Sequence, residues 1–164
     1  MLKDILRDAA LFVDGRNYVG QTNQVTLPDI QLIVEAMRGG GMDGSIEMDM
    51  GMEPMRATFQ FLTFPKEVQK LLGKRDIQVK VRGVLVSHTG EKIGATAELR
   101  GKFIGNNPGD WAKGSTANYT GTFAAHYYKL TVDGEEVHLI DVEGVKRIIN
   151  GVDQLEEDRR LMGI

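Results

Sequence analysis

The chain has 164 residues, 41% of them hydrophobic and 26% charged, and a formal net charge of −3. These values describe one globular domain, 1–164, long enough to bury a core. The absence of cysteine excludes disulfides and thiolate zinc sites, no cluster of Lys and Arg is present to grip a nucleic-acid backbone, and no apolar run approaches the ~20 residues of a membrane span.

Met1–Asp8 mixes acids, bases and apolar residues and lacks the apolar core of a signal peptide. Asp14-Gly15 then lies between Leu11-Phe12-Val13 and Tyr18-Val19. Asp-Gly tolerates the positive φ angles of a type I′ turn, so this is a hairpin. Two strand-like runs follow, Ile30–Met37 and Arg56–Thr63. Between them, residues 38–55 form a connection far longer than the roughly two to five residues a hairpin needs. It is rich in glycine and methionine, and methionine adapts to irregular contact surfaces. The expectation is a long extended β-hairpin arm that leaves one subunit and is ordered against another.

Pro65–Leu72 predicts a short helix, with Pro65 in its first turn and Gly73 as a stop. Ile77–Leu85 and Ile93–Phe103 alternate apolar and polar residues, as half-buried strands do. Thr89-Gly90 ends that strand pair. Trp111 sits in a polar, turn-rich loop, and either anchors that loop on the core or stands exposed for a protein contact. In Thr116–Val132 the alternation slips by one residue: Tyr119, Phe123 and Tyr127 share one face, then Tyr128, Leu130 and Val132 take the other. Such a slip implies a bulge or bend. Asp133-Gly134 closes a hairpin with Val137–Ile140, which would set His126 opposite Asp141 and His138 opposite Lys129. Asn150-Gly151 marks a turn. Asp153–Leu161 predicts a short helix with a capping-box-like Asp153…Glu156, acids leading and arginines following. The fold class is therefore mainly β. A two-sheet β-sandwich or partly open barrel carries one flanking short helix, the arm, and a C-terminal helix or tail at 150–164.

Few motifs suggest chemistry. Gly39-x-Gly41-x-x-Gly44 matches a dinucleotide fingerprint, but no helix opens after it and no βαβ alternation follows. Met48-x-Met50-x-Met52 would place three thioethers on one face of a strand, a soft Cu(I) site or an adaptable packing stripe. Ser87 and His88 are neighbours on a strand and point to opposite faces, so they cannot act as nucleophile and base. No catalytic constellation and no cofactor are expected.

The chain resembles the major tail tube protein of contractile-tailed bacteriophages, a family related to R-type pyocin tubes. The similar residues are Phe12-Val13-Asp14-Gly15 with Tyr18-Val19-Gly20, Val25-Thr26-Leu27-Pro28, and Arg38-Gly39-Gly40-Gly41-Met42-Asp43-Gly44-Ser45. Glu47–Gly51, Phe64-Pro65, Arg100-Gly101 and Tyr128–Gly134 continue the likeness, and Asn150–Leu155 with Arg159–Gly163 close it. The resemblance implies a two-sheet β-domain assembled six to a ring. Rings stack into a tube inside a contractile sheath, and the inner sheets join into a barrel around the lumen that passes DNA. The protein itself, sheath, baseplate and tail-terminator proteins are the implied partners. Such a tube is a virion component assembled in the host cytoplasm.

Under that resemblance Arg38, Gly39, Gly40, Gly41, Met42, Asp43, Gly44, Met48, Met50 and Met52 form an inter-ring arm. Gln31, Glu35, Gln60, Lys80, Thr96, Glu98 and Arg100 become candidates for the lumen, with bases pairing to acids on adjacent strands. Asp153, Leu155, Arg159, Arg160 and Leu161 form a tail at a subunit contact. An acidic subunit repeated six times carries roughly −18 per ring, which repels phosphate. Two other readings remain: the tube of a phage-derived injection particle or type VI secretion-like system, and a small Met-rich β-barrel that binds copper or another ligand.

Overall fold

The computed structural model describes residues 1–164. Its strands are β1 (Ile5–Val13), β2 (Arg16–Asn17), β3 (Thr22–Thr26), β4 (Leu32–Met37), β5 (Ile46–Met52) and β6 (Met55–Phe61), followed by helix α1 (Lys66–Gln69). Then come β7 (Ile77–Val86), β8 (Lys92–Asn107), β9 (Tyr119–Val132), β10 (Glu135–Asp141), β11 (Lys146–Ile149), β12 (Val152–Asp153) and helix α2 (Glu156–Met162). There are two sheets and no closed barrel. Ten strands form a branched sheet ordered β12-β11-β10-β9-β8-β7-β1-β2, with β6 and β3 joining through β9. β4 and β5 pair only with each other.

The branch arises on β9. Its first half, Tyr119–Ala125, pairs with β6, and its second half, Tyr127–Val132, pairs with β10. Along β8 the register jumps between Arg100↔Tyr127 and Gly101↔Ala125, which leaves His126 unpaired. His126 is therefore the bulge that the phase slip in Thr116–Val132 implied. Gly101 sits against it: a Cβ there would lie 1.9 Å from the Ala124 carbonyl oxygen.

The core lies where the apolar faces of these strands meet. Phe59, Phe61, Phe103, Tyr119 and Phe123 are fully buried, and Phe103 packs edge-on against Phe123 with ring centroids 5.1 Å apart. Leu11, Val79 and Leu99 continue the core along β1, β7 and β8, and Val68 seals it from α1.

The Asp-Gly turns are as the sequence predicts. Asp14 and Gly15 have φ of 49° and 79°, and Asp133 and Gly134 have 52° and 77°. Asn150-Gly151 makes a third turn of this kind, pairing Ile149 with Val152. Several boundaries differ from expectation. The helix after Pro65 is only four residues, since Gly73 and the turn before it end it early. A further register shift at Val137 moves the histidines by one position, so Asp141 faces Tyr127 and His138 faces Leu130. The expected capping box of α2 is not formed. Leu155 occupies the N-cap without a side-chain bond, while the Asp153 carboxylate accepts from the Leu155 amide at 3.1 Å.

Candidate functional site

The arm is a true β-hairpin, and it begins six residues earlier than the sequence indicates. Leu32–Met37 belongs to it rather than to the large sheet. Glu35 thus lies on the arm and Gln31 just before it, both outside the large sheet. The residues of Arg38–Ser45 form its tip, where the Met42 amide donates to the Gly39 carbonyl at 3.2 Å. Ile46–Met52 is strand-paired within the subunit, so the arm is structured in the single chain.

The pairs Met37↔Ile46 and Glu35↔Met48 define one face, which Ile33 and Met50 extend. The pairs Ala36↔Glu47 and Val34↔Asp49 define the other. One face is therefore almost wholly apolar, and the second is acidic. Both are exposed: Ile46 on the first is 57% accessible and Val34 on the second is 45%. The register shift between Leu32 and Val34, with Gly51 at φ 121°, turns Met52 onto the face of Leu32. Met52 then packs on the core. The three methionines expected on one face are thus divided, two on the apolar stripe and one at the root.

Arg147 holds that root. It is the one charged residue buried in the subunit, at 6% accessibility. Its Nη2 donates to Asp49 on the arm, and its Nε donates to Gln154 Oε1 at 2.9 Å. The Gly51 amide and then the Arg147 guanidinium hold the Asp49 carboxyl below its ordinary range. The sequence signals for Arg147 are slight, because a strand arginine is usually solvated.

The C-terminal segment braces the same region. Arg159 donates to Asp153 Oδ2 at 2.5 Å and to the Val145 carbonyl at 2.8 Å, so α2 docks on its own subunit. Arg160 bonds Glu157 on its own helix at 3.1 Å. Each of these arginines thus has a partner within its own subunit. Leu155 is half-buried beside the arm root, in an apolar groove of about 430 Å³ that Met52, Met55 and Ile140 also line. Leu161 stays 74% exposed.

The remaining lumen candidates point away from the core. Lys80 and Glu98 sit opposite each other on β7 and β8 and form an ion pair at 3.6 Å. Arg100 lies over the Tyr127 ring at 4.4 Å. Thr96 pairs with Arg82 and with Thr131, and Gln60 accepts from Asn23 at 3.3 Å. Arg82, Lys102 and Lys129 give this side of β7–β9 a basic excess over Glu98, opposite in sign to the whole chain.

Trp111 is exposed, at 74%, with its indole N–H bonded to the Pro108 carbonyl at 3.3 Å. It packs edge-on against the exposed Phe64 ring with centroids 5.3 Å apart. Of the two readings for Trp111, the core anchor is the one the structure overturns. Phe64 follows the far end of β6, and the arm enters β6 at Met55. The aromatic pair and the arm root therefore lie at opposite ends of that strand.

The family model described as phage tail tube protein FII matches residues 3–163. The tail tube protein of Escherichia phage P2 is 29% identical over 161 residues, spanning 94% of each chain. The major tail tube protein of Serratia phage KSP20 is 30% identical over 141 residues, spanning 84% of this chain and 82% of that one. The fold is similar to a chain in the extended sheath–tube complex of an extracellular contractile injection system, PVC, with TM-score 0.58 and 16% identity, covering 75% of this chain and 87% of that chain. A chain of the anti-feeding prophage tube-terminating cap has TM-score 0.58 at 11% identity, with 75% and 87% covered. A phage tail tube protein is a structural component of the virion and not an enzyme. The chain belongs to the phage tail tube protein FII family.

Proposed function

We propose that this chain forms stacked hexameric rings that make the inner tube of a contractile phage tail, the conduit for DNA ejection, assembled in the host cytoplasm. One observation carries the reading. The subunit exposes 10782 Å². A compact monomer of 18.2 kDa should expose only about 8,100 Å². The excess, roughly 2,700 Å², exceeds the ~800 Å² that one partner contributes to a standard interface. Much of it lies on a hairpin whose apolar stripe has no cover within the subunit. An exposed apolar stripe of this kind marks a contact surface, and self-assembly would bury it.

The arm from Leu32 to Met52 is the inter-ring element, and Leu161 contributes an apolar contact from the tail. Gln60, Lys80, Thr96, Glu98 and Arg100 are retained as lumen candidates, with Lys80 neutralised by Glu98. The sheath surrounds this tube, and baseplate and terminator proteins meet its two ends. Solved chains of similar fold come from a sheath–tube complex, a tube cap and a baseplate, which supports those partner classes.

Negative-stain microscopy of the purified protein should show rings or tubes. Replacing Ile33–Gly51 by a short Gly-Ser link should leave a folded subunit that forms no long tubes. Long tubes from the deletion variant would remove the arm from its role. Solved relatives by fold include injection-system chains, so a second reading is the tube of a phage-derived injection particle. Neighbouring genes separate the two: sheath with capsid marks a phage, and sheath without capsid marks an injection device.

A further inference from the structure

We infer that the Phe64–Trp111 pair is the acceptor for the arm of a second copy of this chain, an inference that rests on the self-assembly reading above. The apolar face of the arm carries Met48 and Met50 between Ile46 and Ile33. The acceptor offers two exposed aromatic rings in edge-on contact. Thioether sulfur packs favourably against aromatic ring edges about 5 Å away. Methionine is flexible enough to fill the angle between two rings set at 78°.

Charge matches as well. Leu32–Glu53 holds five acids and one arginine. Of those acids only Asp49 has an ion-pair partner in its own subunit, which leaves Glu35, Asp43, Glu47 and Glu53 free. Lys66 lies beside Phe64, in a shallow depression also lined by Lys70, and Lys113 is two residues past Trp111. Neither Lys66 nor Lys113 has a carboxylate partner in the subunit, whose other nearby pairs engage Arg16, Lys70 and Lys74. Glu67 and Asp110 also border the rings, so Lys66, Lys70 and Lys113 leave the acceptor a single net positive charge to set against the acidic arm.

Geometry makes the contact intermolecular. The arm leaves β6 at Met55 and runs past Arg147, while Phe64 follows the opposite end of β6. Within the subunit the arm is fastened at Arg147 and not at its own acceptor, which leaves that acceptor open to the arm of a copy placed head to tail. Such a heterologous contact does not close on itself and propagates along an axis.

Trp111 is the only tryptophan, and the chain has no cysteine, so two measurements report on this contact directly. Assembly of the unmodified protein should shift Trp111 emission to shorter wavelength and protect it from acrylamide. Separately, a Met48→Cys subunit mixed with a Trp111→Cys subunit should form a mixed disulfide during assembly. A Met48→Cys and Glu135→Cys mixture should not. All three positions are exposed or partly exposed, so the substitutions leave the core intact. Tubes that form while Trp111 keeps its solvent-exposed emission overturn the acceptor and leave the assembly reading standing. A shifted Trp111 with no Met48–Trp111 cross-link above the Glu135 control also overturns it, since another surface then covers the ring. Failure of the unmodified protein to form rings or tubes overturns the assembly reading itself, and the acceptor with it.

Discussion

Arg147 and Asp49 stand 98 positions apart in the chain and meet at the root of the arm. The guanidinium is buried and the carboxylate is 40% exposed, so the arginine needs its partner more than the aspartate does. Gln154 takes a second guanidinium N–H. The fork geometry of arginine supplies both bonds from one planar group, which lysine cannot do.

Arg147→Met should therefore free the arm without unfolding the sheets. Removing one partner of a hydrogen-bonded charge commonly costs about 1–3 kcal/mol, and Asp49 is wet enough to recover solvation. Spin labels at Ser45→Cys and Glu91→Cys would read the change. A single narrow distance distribution should broaden in Arg147→Met, with the melting transition only slightly lowered. Tube formation should slow in the same variant.

Acid should loosen the same region. The Gly51 amide and Arg147 depress Asp49, and Arg159 and the Leu155 amide depress Asp153. A carboxyl whose folded pKa is lowered stabilises the fold above its unfolded value. That contribution disappears as pH falls through the lowered folded value. The arm and tail should be held at neutral pH and released at strongly acidic pH. Carboxyl carbon chemical shifts of Asp49 and Asp153, followed by NMR, should both titrate below the usual range.

Gly101→Ala should be among the most damaging single changes. Its Cβ would meet the Ala124 carbonyl at 1.9 Å, and that oxygen is backbone, fixed by the bulge at His126. Overpacking commonly costs about 1–3 kcal/mol and more where backbone must shift. Urea unfolding should show a loss at or above the top of that range. Gly105→Ala is the control, because its Cβ would find only the Thr122 side chain at 3.5 Å.

Tyr119 sets an alkaline limit. Burial pushes its phenol up to about 12. Its hydroxyl donates to Asn106. The unfolded phenol ionises first, near its ordinary 10.0. The contribution is complete below that value and is lost as pH rises toward 12, by about 1.4 kcal/mol per pH unit. Tyr119→Phe should flatten that slope and cost about 1 kcal/mol at neutral pH through the unpaired Asn106 oxygen. Chemical unfolding at pH 8 and pH 11 checks both effects.

Truncation after Gly151 should leave the large sheet intact by circular dichroism and impair tube formation. The segment supplies Asp153, Gln154 and Arg159, which bond among themselves and to Arg147. Its loss should broaden the same spin-label distances as Arg147→Met. Normal tubes from the truncated chain would show that the brace is dispensable.

The sequence by itself determined the local grammar. Asp14-Gly15 and Asp133-Gly134 dictate their turns because few other pairs tolerate two positive φ angles. Period-two alternation identifies β7 and β8, and the slip within Thr116–Val132 identifies the bulge, because side-chain period is a property of the strand alone. Excess length and the Gly and Met content of residues 38–55 identify the arm. Tertiary structure decided what depends on partners distant in the chain. Leu32–Met37 alternates too weakly to say which sheet it joins, and only its pairing with Ile46–Met52 places it on the arm. Asp153 lies two residues before the N-cap Leu155, so its two carboxylate oxygens take the Leu155 amide and the Arg159 guanidinium instead of closing a capping box. Arg147 gives no local sign of burial. It is buried because Asp49 and Gln154, brought from two separate hairpins, satisfy its donors together.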